Sequence, residues 1–388
     1  MDAEDTPVGG ARPGPGHGGS TFPPPAAVPP QAYPPPPAFP PSHSADPRGP
    51  QQEQRPEQQE QRRARRFALA AGGGLAALVA LALVLTLLAR GGGPAPAGPA
   101  ATGGDTAPSG RGTDLEARVS AFTSPFVAGT GYRAPTAAQR RAVADGVALA
   151  AQGRTEEATA ELAKADYRIT ELTDSATGRR TAEIADAAPQ SEGRRGWGRV
   201  YIDLSVPHPS WTLQVPHPVA DSRTENLGVE VFRAAPGGIM VLAGSHRRAD
   251  PDGASDPAHR ADTVFAAVLE GLATRGLPGI QVHGFDEASL AGQDSVVSTG
   301  TAPAGPAAEL TAAGLAADGW NICRAWKDSC GQLEGTTNVE GRFAAGLGVP
   351  WLHVELATRL RTEPDLRGRV AATLAATARS WTAAPPRP

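Results

Sequence analysis

Cysteine is almost absent from this chain of 388 residues, which holds only two, Cys323 and Cys330. Two thiols are too few for a thiolate zinc site, and neither has the surroundings of a nucleophile. Close together in sequence, they are expected to pair as a disulfide in an oxidising compartment. A charge imbalance is missing as well. Lys+Arg 36 against Asp+Glu 40 leaves a net charge of -4, so the composition gives no sign of nucleic-acid binding. Three signature loops are also absent. No Gly-x-Ser-x-Gly elbow, no Walker Gly-Lys-Ser/Thr and no His-Glu-x-x-His occurs.

Glycine and proline, at 46 and 39 residues, are plentiful and concentrate in the N-terminal third. Residues 1–61 are rich in Pro, Gly, Gln and Ala, with runs such as Pro34–Pro37. Such a segment buries too little apolar surface to offset its ordering entropy and is expected to be a disordered tail. It reads either as plain solvated chain or as a ligand for an aromatic groove on a cytoplasmic partner. Residues 62–90 begin with Arg62, Arg63, Arg65 and Arg66 and continue as the uncharged apolar run Phe67 to Ala89. That run is long enough for a single transmembrane helix, and the arginine flank places the N-terminus in the cytoplasm. Residues 91–112 read as a linker, and everything after it is expected to lie outside the cytoplasm.

Residues 113–195 read as an accessory subdomain. Thr136 and Gln139 form a capping box at the head of a helical hairpin, and Tyr167–Leu172 with Thr181–Ile184 reads as a β-hairpin. From residue 196 to 388 strands and helices alternate, which predicts an α/β domain with a mostly parallel or mixed sheet covered by helices. The predicted strands include Thr212–Val215, Gly238–Ala243, Gly279–His283 and Trp351–Leu356. The predicted helices include Ser222–Arg233 and Pro257–Arg275, the latter with Asp256 as N-cap.

Six of the eight histidines fall in this segment, and His217, His246, His283 and His353 end or follow a predicted strand. Strand ends in such a sheet converge at one edge, where open α/β folds place their chemistry. A zinc hydrolase needs three His or carboxylate ligands, an open position and a general base. His217 and His283 supply nitrogens, and Glu225 or Asp221 supplies an oxygen. Glu225 has a plainer reading: Ser222-Arg-Thr-Glu225 is itself a capping box. Glu355 sits mid-strand among apolar residues, and burial there raises its pKa toward that of a base. Arg247 and Arg248 follow a strand and suit capture of a substrate carboxylate. His246 is an alternative ligand, and His259, His353 and Arg342 are weaker candidates for substrate or structural roles.

The order of these elements resembles the zinc carboxypeptidase-like superfamily, including its N-formylglutamate amidohydrolase branch, over residues 199–380. The resemblance implies a phosphorylase/hydrolase-like sheet, a Zn2+ cofactor, ligands His217, Glu225 and His283, anion contacts at Arg247 and Arg248, and Glu355 as base. It departs from the peptidase pattern His-x-x-Glu, since Ala220 stands where the glutamate belongs. The expectation is therefore a membrane-anchored, extracytoplasmic zinc hydrolase of amide bonds, acting on peptides or acyl-amino acids, cell-wall peptides included. The competing expectation is a catalytically inactive ectodomain that binds a partner.

Overall fold

Residue alternation sets the centre of the fold. The computed structural model describes residues 112–188 and 193–382. The expected tail and apolar run at residues 1–90, and the linker up to residue 111, lie outside the described residues. Among the described residues no helix is long and apolar enough to cross a membrane.

The elements follow in order. Three helices, α1 (Leu115–Thr123), α2 (Ala137–Ala151) and α3 (Thr155–Ala163), precede strands β1 (Tyr167–Thr173), β2 (Arg180–Asp186), β3 (Arg199–Asp203) and β4 (Trp211–Val215). Then come α4 (Thr224–Ala234), β5 (Gly238–Leu242), α5 (Val264–Ala273), β6 (Gly279–Phe285) and β7 (Ser295–Ser298). The chain continues with α6 (Pro306–Ala317), β8 (Ile322–Arg324), α7 (Val339–Leu347), β9 (Trp351–Ala357), α8 (Thr358–Thr362) and α9 (Pro364–Thr382).

Among the described residues the strands form one sheet of nine, in the order β1-β2-β3-β5-β4-β6-β9-β7-β8. Its middle, β5-β4-β6-β9, is parallel, and antiparallel pairings flank it on both sides. The sheet is therefore mixed. The expected accessory segment does not stand apart from it. Strand β2 pairs with β3, so the hairpin extends the main sheet, and Leu115 and Val119 of α1 join the apolar core under α4. Cys323 of β8 and Cys330 form the expected disulfide.

The two faces of the central strands differ in character. One carries Leu213, Val215, Met240, Ile280, Val282, Leu352 and Val354, packed against residues of α4, α6 and α9 such as Leu227, Leu315 and Leu374. The opposite face carries Ile239 and Val241 on β5, beneath α2 and α5. Across β4, β6 and β9 that same face turns polar, with Gln214 aligned to Gln281, Gln281 to His353 and His283 to Glu355. All of these residues are buried. Buried polar groups persist only when hydrogen-bonded or used. This stripe leads to the carboxyl edge of the parallel strands.

Arg361, on α8, ties that edge together. Its buried guanidinium donates to the carbonyls of Asp221, Ser222 (3.0 Å), Leu356 (3.0 Å) and Phe285 (3.2 Å), clamping the ends of β6 and β9 to the loop after β4. A methyl group at Gly284 would collide with this guanidinium, which accounts for glycine there. Several buried carbonyls lose their donor when Arg361 is replaced, so Arg361→Met is expected to destabilise the fold by about 3 kcal/mol or more. Urea unfolding of the variant measures this.

Candidate metal centre

The loop after β4 turns sharply. Val219, a β-branched residue, takes φ 68, and Arg223 takes φ 67. Left-handed backbone at such residues is strained and persists where the surroundings enforce it. Two contacts do so. The Glu225 carboxylate accepts from the Val219 amide at 3.1 Å, and Arg361 holds the carbonyls of Asp221 and Ser222. Helix α4 begins at Thr224 behind Arg223, without a side-chain cap. The capping box predicted at Ser222 is thus not formed, and Glu225 secures the turn itself. The turn aims His217 and Asp221 at one point.

Three side-chain atoms converge there. His217 Nδ1 lies 3.1 Å from Asp221 Oδ2 and 3.2 Å from His283 Nδ1, and His283 Nδ1 lies 3.4 Å from Asp221 Oδ2. All three residues are buried. For tetrahedral zinc with ligand bonds of about 2.0–2.1 Å, neighbouring ligand atoms stand about 3.3 Å apart. The triangle matches one face of such a tetrahedron. The outward nitrogens are held as well, His217 Nε2 by Asp256 Oδ1 at 2.8 Å and His283 Nε2 by Gln281 Oε1 at 2.7 Å. Acceptors behind metal-ligating imidazoles fix the ring and leave the other nitrogen's lone pair facing inward. The residues present therefore fit a divalent cation.

Electrostatics agree with this donor set. Burial opposes a charge on His217, but hydrogen bonds to Asp221 and Asp256 outweigh it and raise its pKa to about 9. A proton can thus occupy the position that suits a cation. Burial lowers His283 to about 4, so its ring is neutral. Burial opposes a charge on Asp221, but the hydrogen bond from His217 outweighs it and keeps the carboxylate ionised.

The third strand end brings His353 and Glu355. The rings of His283 and His353 lie 4.5 Å apart, centroid to centroid, and His353 Nε2 is 3.8 Å from Glu355 Oε1. One oxygen of Glu355 is buried with no hydrogen-bond partner. Burial, reinforced by the Asp221 charge, pushes its pKa up to about 8. His283, His353 and Glu355 form a second group of potential ligands that shares His283 with the first.

The remaining candidates divide clearly. Glu225, expected as a ligand, spends an oxygen on the Val219 amide, and the converging carboxylate is that of Asp221. Arg247 lies at the site, but Nε (3.1 Å) and Nη2 (2.6 Å) both donate to Asp256 Oδ2. Only Nη1, 3.4 Å from His217 Nδ1, faces the converging ligands. Arg248 is exposed. His246 accepts from the Arg248 amide at 3.0 Å in a local turn. His259 is exposed, and exposed Arg342 donates to the Thr336 carbonyl at 2.9 Å. Asp256 is the residue that the sequence reading misplaced. Helix α5 starts only at Val264, capped by Thr263, and the turns before it carry Asp256 to His217 and Arg247. An Asp before a Pro ordinarily signals a cap, and no local pattern distinguishes this one.

Behind the site, Glu340 is buried with one unpartnered oxygen, beside a cavity of about 60 Å³ lined also by Gln214 and Trp351. Burial raises its pKa from 4.5 to about 8. The folded state then holds this proton more tightly than the unfolded chain does. Its contribution is fully present below pH 4.5 and is lost as pH rises through about 8. Glu340→Gln is expected to remove this loss and so to be the more stable protein at pH 9. Denaturant unfolding of both proteins at pH 5 and pH 9 measures it.

No protein-family profile matches this chain, and no curated protein matches it. Among solved structures, it is similar to N-formylglutamate amidohydrolase from Ralstonia eutropha JMP134, at 12% identity and TM-score 0.34, over 45% of this chain and 95% of that one. A bacteriophage poly-gamma-glutamate hydrolase is similar at 15% identity and TM-score 0.31, over 45% of this chain and 84% of the other. A metallopeptidase-like protein from Shewanella denitrificans OS217 is similar at 12% identity and TM-score 0.28, over 55% and 82% of the two chains. Likeness at these scores carries no argument about activity, which rests on the side chains.

Proposed function

We propose that this protein is a metal-dependent hydrolase of amide bonds, with zinc as the ion that its ligand set suits best. One observation carries the reading. Two imidazole nitrogens and a carboxylate oxygen converge within 3.1–3.4 Å at the carboxyl edge of a parallel sheet, beside a buried glutamate. His217, Asp221 and His283 would hold the ion, which when bound supplies Lewis acidity toward water and a carbonyl. Glu355 takes the proton of the attacking water and returns it to the leaving nitrogen. Its buried setting suits a base that works near neutral pH. Arg247 Nη1 offers a hydrogen bond to the carbonyl oxygen as charge develops on it. Asp256 holds Arg247 and His217 together, so donor and ligand move as one unit.

The arginine cluster at Arg62–Arg66 and the apolar run Phe67–Ala89 support a single-pass anchor with the hydrolase outside the cytoplasm. The Cys323–Cys330 disulfide is consistent with that compartment. Peptides and acyl-amino acids, those of the cell wall included, are the substrate classes proposed, and the Pro-rich tail is proposed to face a cytoplasmic partner. Release of free amine from a panel of N-acyl-amino acids and peptides, with and without added zinc, tests the activity. Zinc-dependent release from any member supports it. Zinc uptake without turnover across the panel would favour a binding ectodomain.

A further inference from the structure

We infer that Gln281 is a positioning residue that fixes which nitrogen of His283 carries the proton, through a chain of amides running back to helix α7. The inference rests in part on the metal reading above, because its consequence is a nitrogen free to bind the ion.

The chain begins at groups that can only donate. Asn338 caps α7, its Oδ1 accepting from the backbone amides of Glu340 (3.0 Å) and Gly341 (3.1 Å). Backbone amides at that end require oxygen, so the Asn338 nitrogen must face away from them. It donates to Gln281 Oε1. At the far end the Trp351 indole N–H, also donor only, donates to Gln214 Oε1 at 3.0 Å. Between these anchors, Gln281 Nε2 donates to Gln214 Oε1 at 3.1 Å and to Glu340 Oε2 at 3.2 Å. Turning the Gln281 amide over would set its nitrogen against the Asn338 nitrogen and its oxygen against Gln214 Oε1, which the Trp351 indole fixes as an acceptor. The amide therefore has one orientation.

That orientation decides the histidine. Gln281 Oε1 can only accept, and it lies 2.7 Å from His283 Nε2, so the proton is on Nε2. Nδ1 is left bare, and Nδ1 is the atom that meets His217 and Asp221. Gln281, Asn338 and Glu340 are all buried, which shields the chain from competing water. The cap of one helix thus selects the tautomer that a metal ligand needs.

The test uses the full chain labelled with 15N at histidine. His283 is assigned by comparison with His283→Asn, and its tautomer is read from the ring-nitrogen shifts of metal-free protein. Wild type is expected to show protonated Nε2 and bare Nδ1. Gln281→Met, close in size but without an acceptor, is expected to lose that preference and to bind zinc about 10–100-fold more weakly. Gln281→Glu, which keeps an acceptor for His283 but loses the donor to Gln214 and Glu340, is expected to keep the proton on Nε2. A residue that merely fills space would show the opposite ranking. A bare Nε2 in wild type overturns the inference, and so does a Gln281→Met protein with unchanged tautomer and zinc affinity. If Gln281→Met fails to fold, the wild-type spectrum still decides. Wild type that shows the expected tautomer but takes up no zinc would count against the metal reading alone.

Discussion

Asp221→Ala is expected to weaken zinc binding by more than the roughly 10–100-fold that changes behind a metal ligand produce, whereas Glu225→Ala, in which Arg361 still holds the Asp221 and Ser222 carbonyls of the turn, is expected to leave it nearly unchanged. Two carboxylates close in sequence thus separate by role. Asp221 Oδ2 lies 3.1 Å from His217 Nδ1 and 3.4 Å from His283 Nδ1, and it also accepts from the Gly284 amide at 3.2 Å. Its removal takes one vertex from the triangle of donor atoms. Glu225 faces the backbone of the same turn, so its removal frees the Val219 amide and relaxes a strained residue. The expected cost is about 1–2 kcal/mol of stability, the scale of one unsatisfied buried donor. Competition with a chromogenic chelator gives the two affinities, and circular dichroism shows that both variants are folded. Equal losses of affinity would show that Glu225 shares in ligation.

Glu355→Gln is expected to lower kcat for amide hydrolysis by about 10²–10⁴-fold, the usual worth of a general base, while zinc affinity stays near that of wild type. The substitution keeps the size of the side chain and removes its basicity. It also relieves a buried carboxylate that has one oxygen without a partner. The folded Glu355 pKa is raised above the ordinary 4.5 to about 8, so its ionisation works against folding as pH rises. The variant is therefore expected to gain stability above pH 8 as it loses activity. That opposition is characteristic of a group retained for chemistry. Full activity in Glu355→Gln would remove Glu355 from the mechanism.

Much of the framework was legible in the sequence because its physics is local. Alternating apolar residues on Leu213, Val215, Ile280, Val282, Leu352 and Val354 mark the buried face of the parallel strands. The strand-end histidines His217 and His283, and the mid-strand Glu355, mark the edge where the donor atoms gather. Other features depend on distant partners and had no local signal. Asp256 and Pro257 read as a helix start, yet Asp256 is engaged by Arg247 and His217. Arg361 reads as one arginine among many, and only the folded chain shows the carbonyls that it clamps. The choice between Asp221 and Glu225 depended on a backbone turn at Val219 whose positive φ no propensity predicts. Gln214, Gln281 and His353 form a polar stripe only where β4, β6 and β9 lie side by side, a relation that no single strand carries.

Zinc titration of the full chain, followed by metal analysis after gel filtration, tests the central claim most directly. The account predicts one zinc bound per chain in wild type and none retained in His217→Ala/His283→Ala. Folded wild-type protein that retains no zinc, or a double variant that retains as much as wild type, would contradict it.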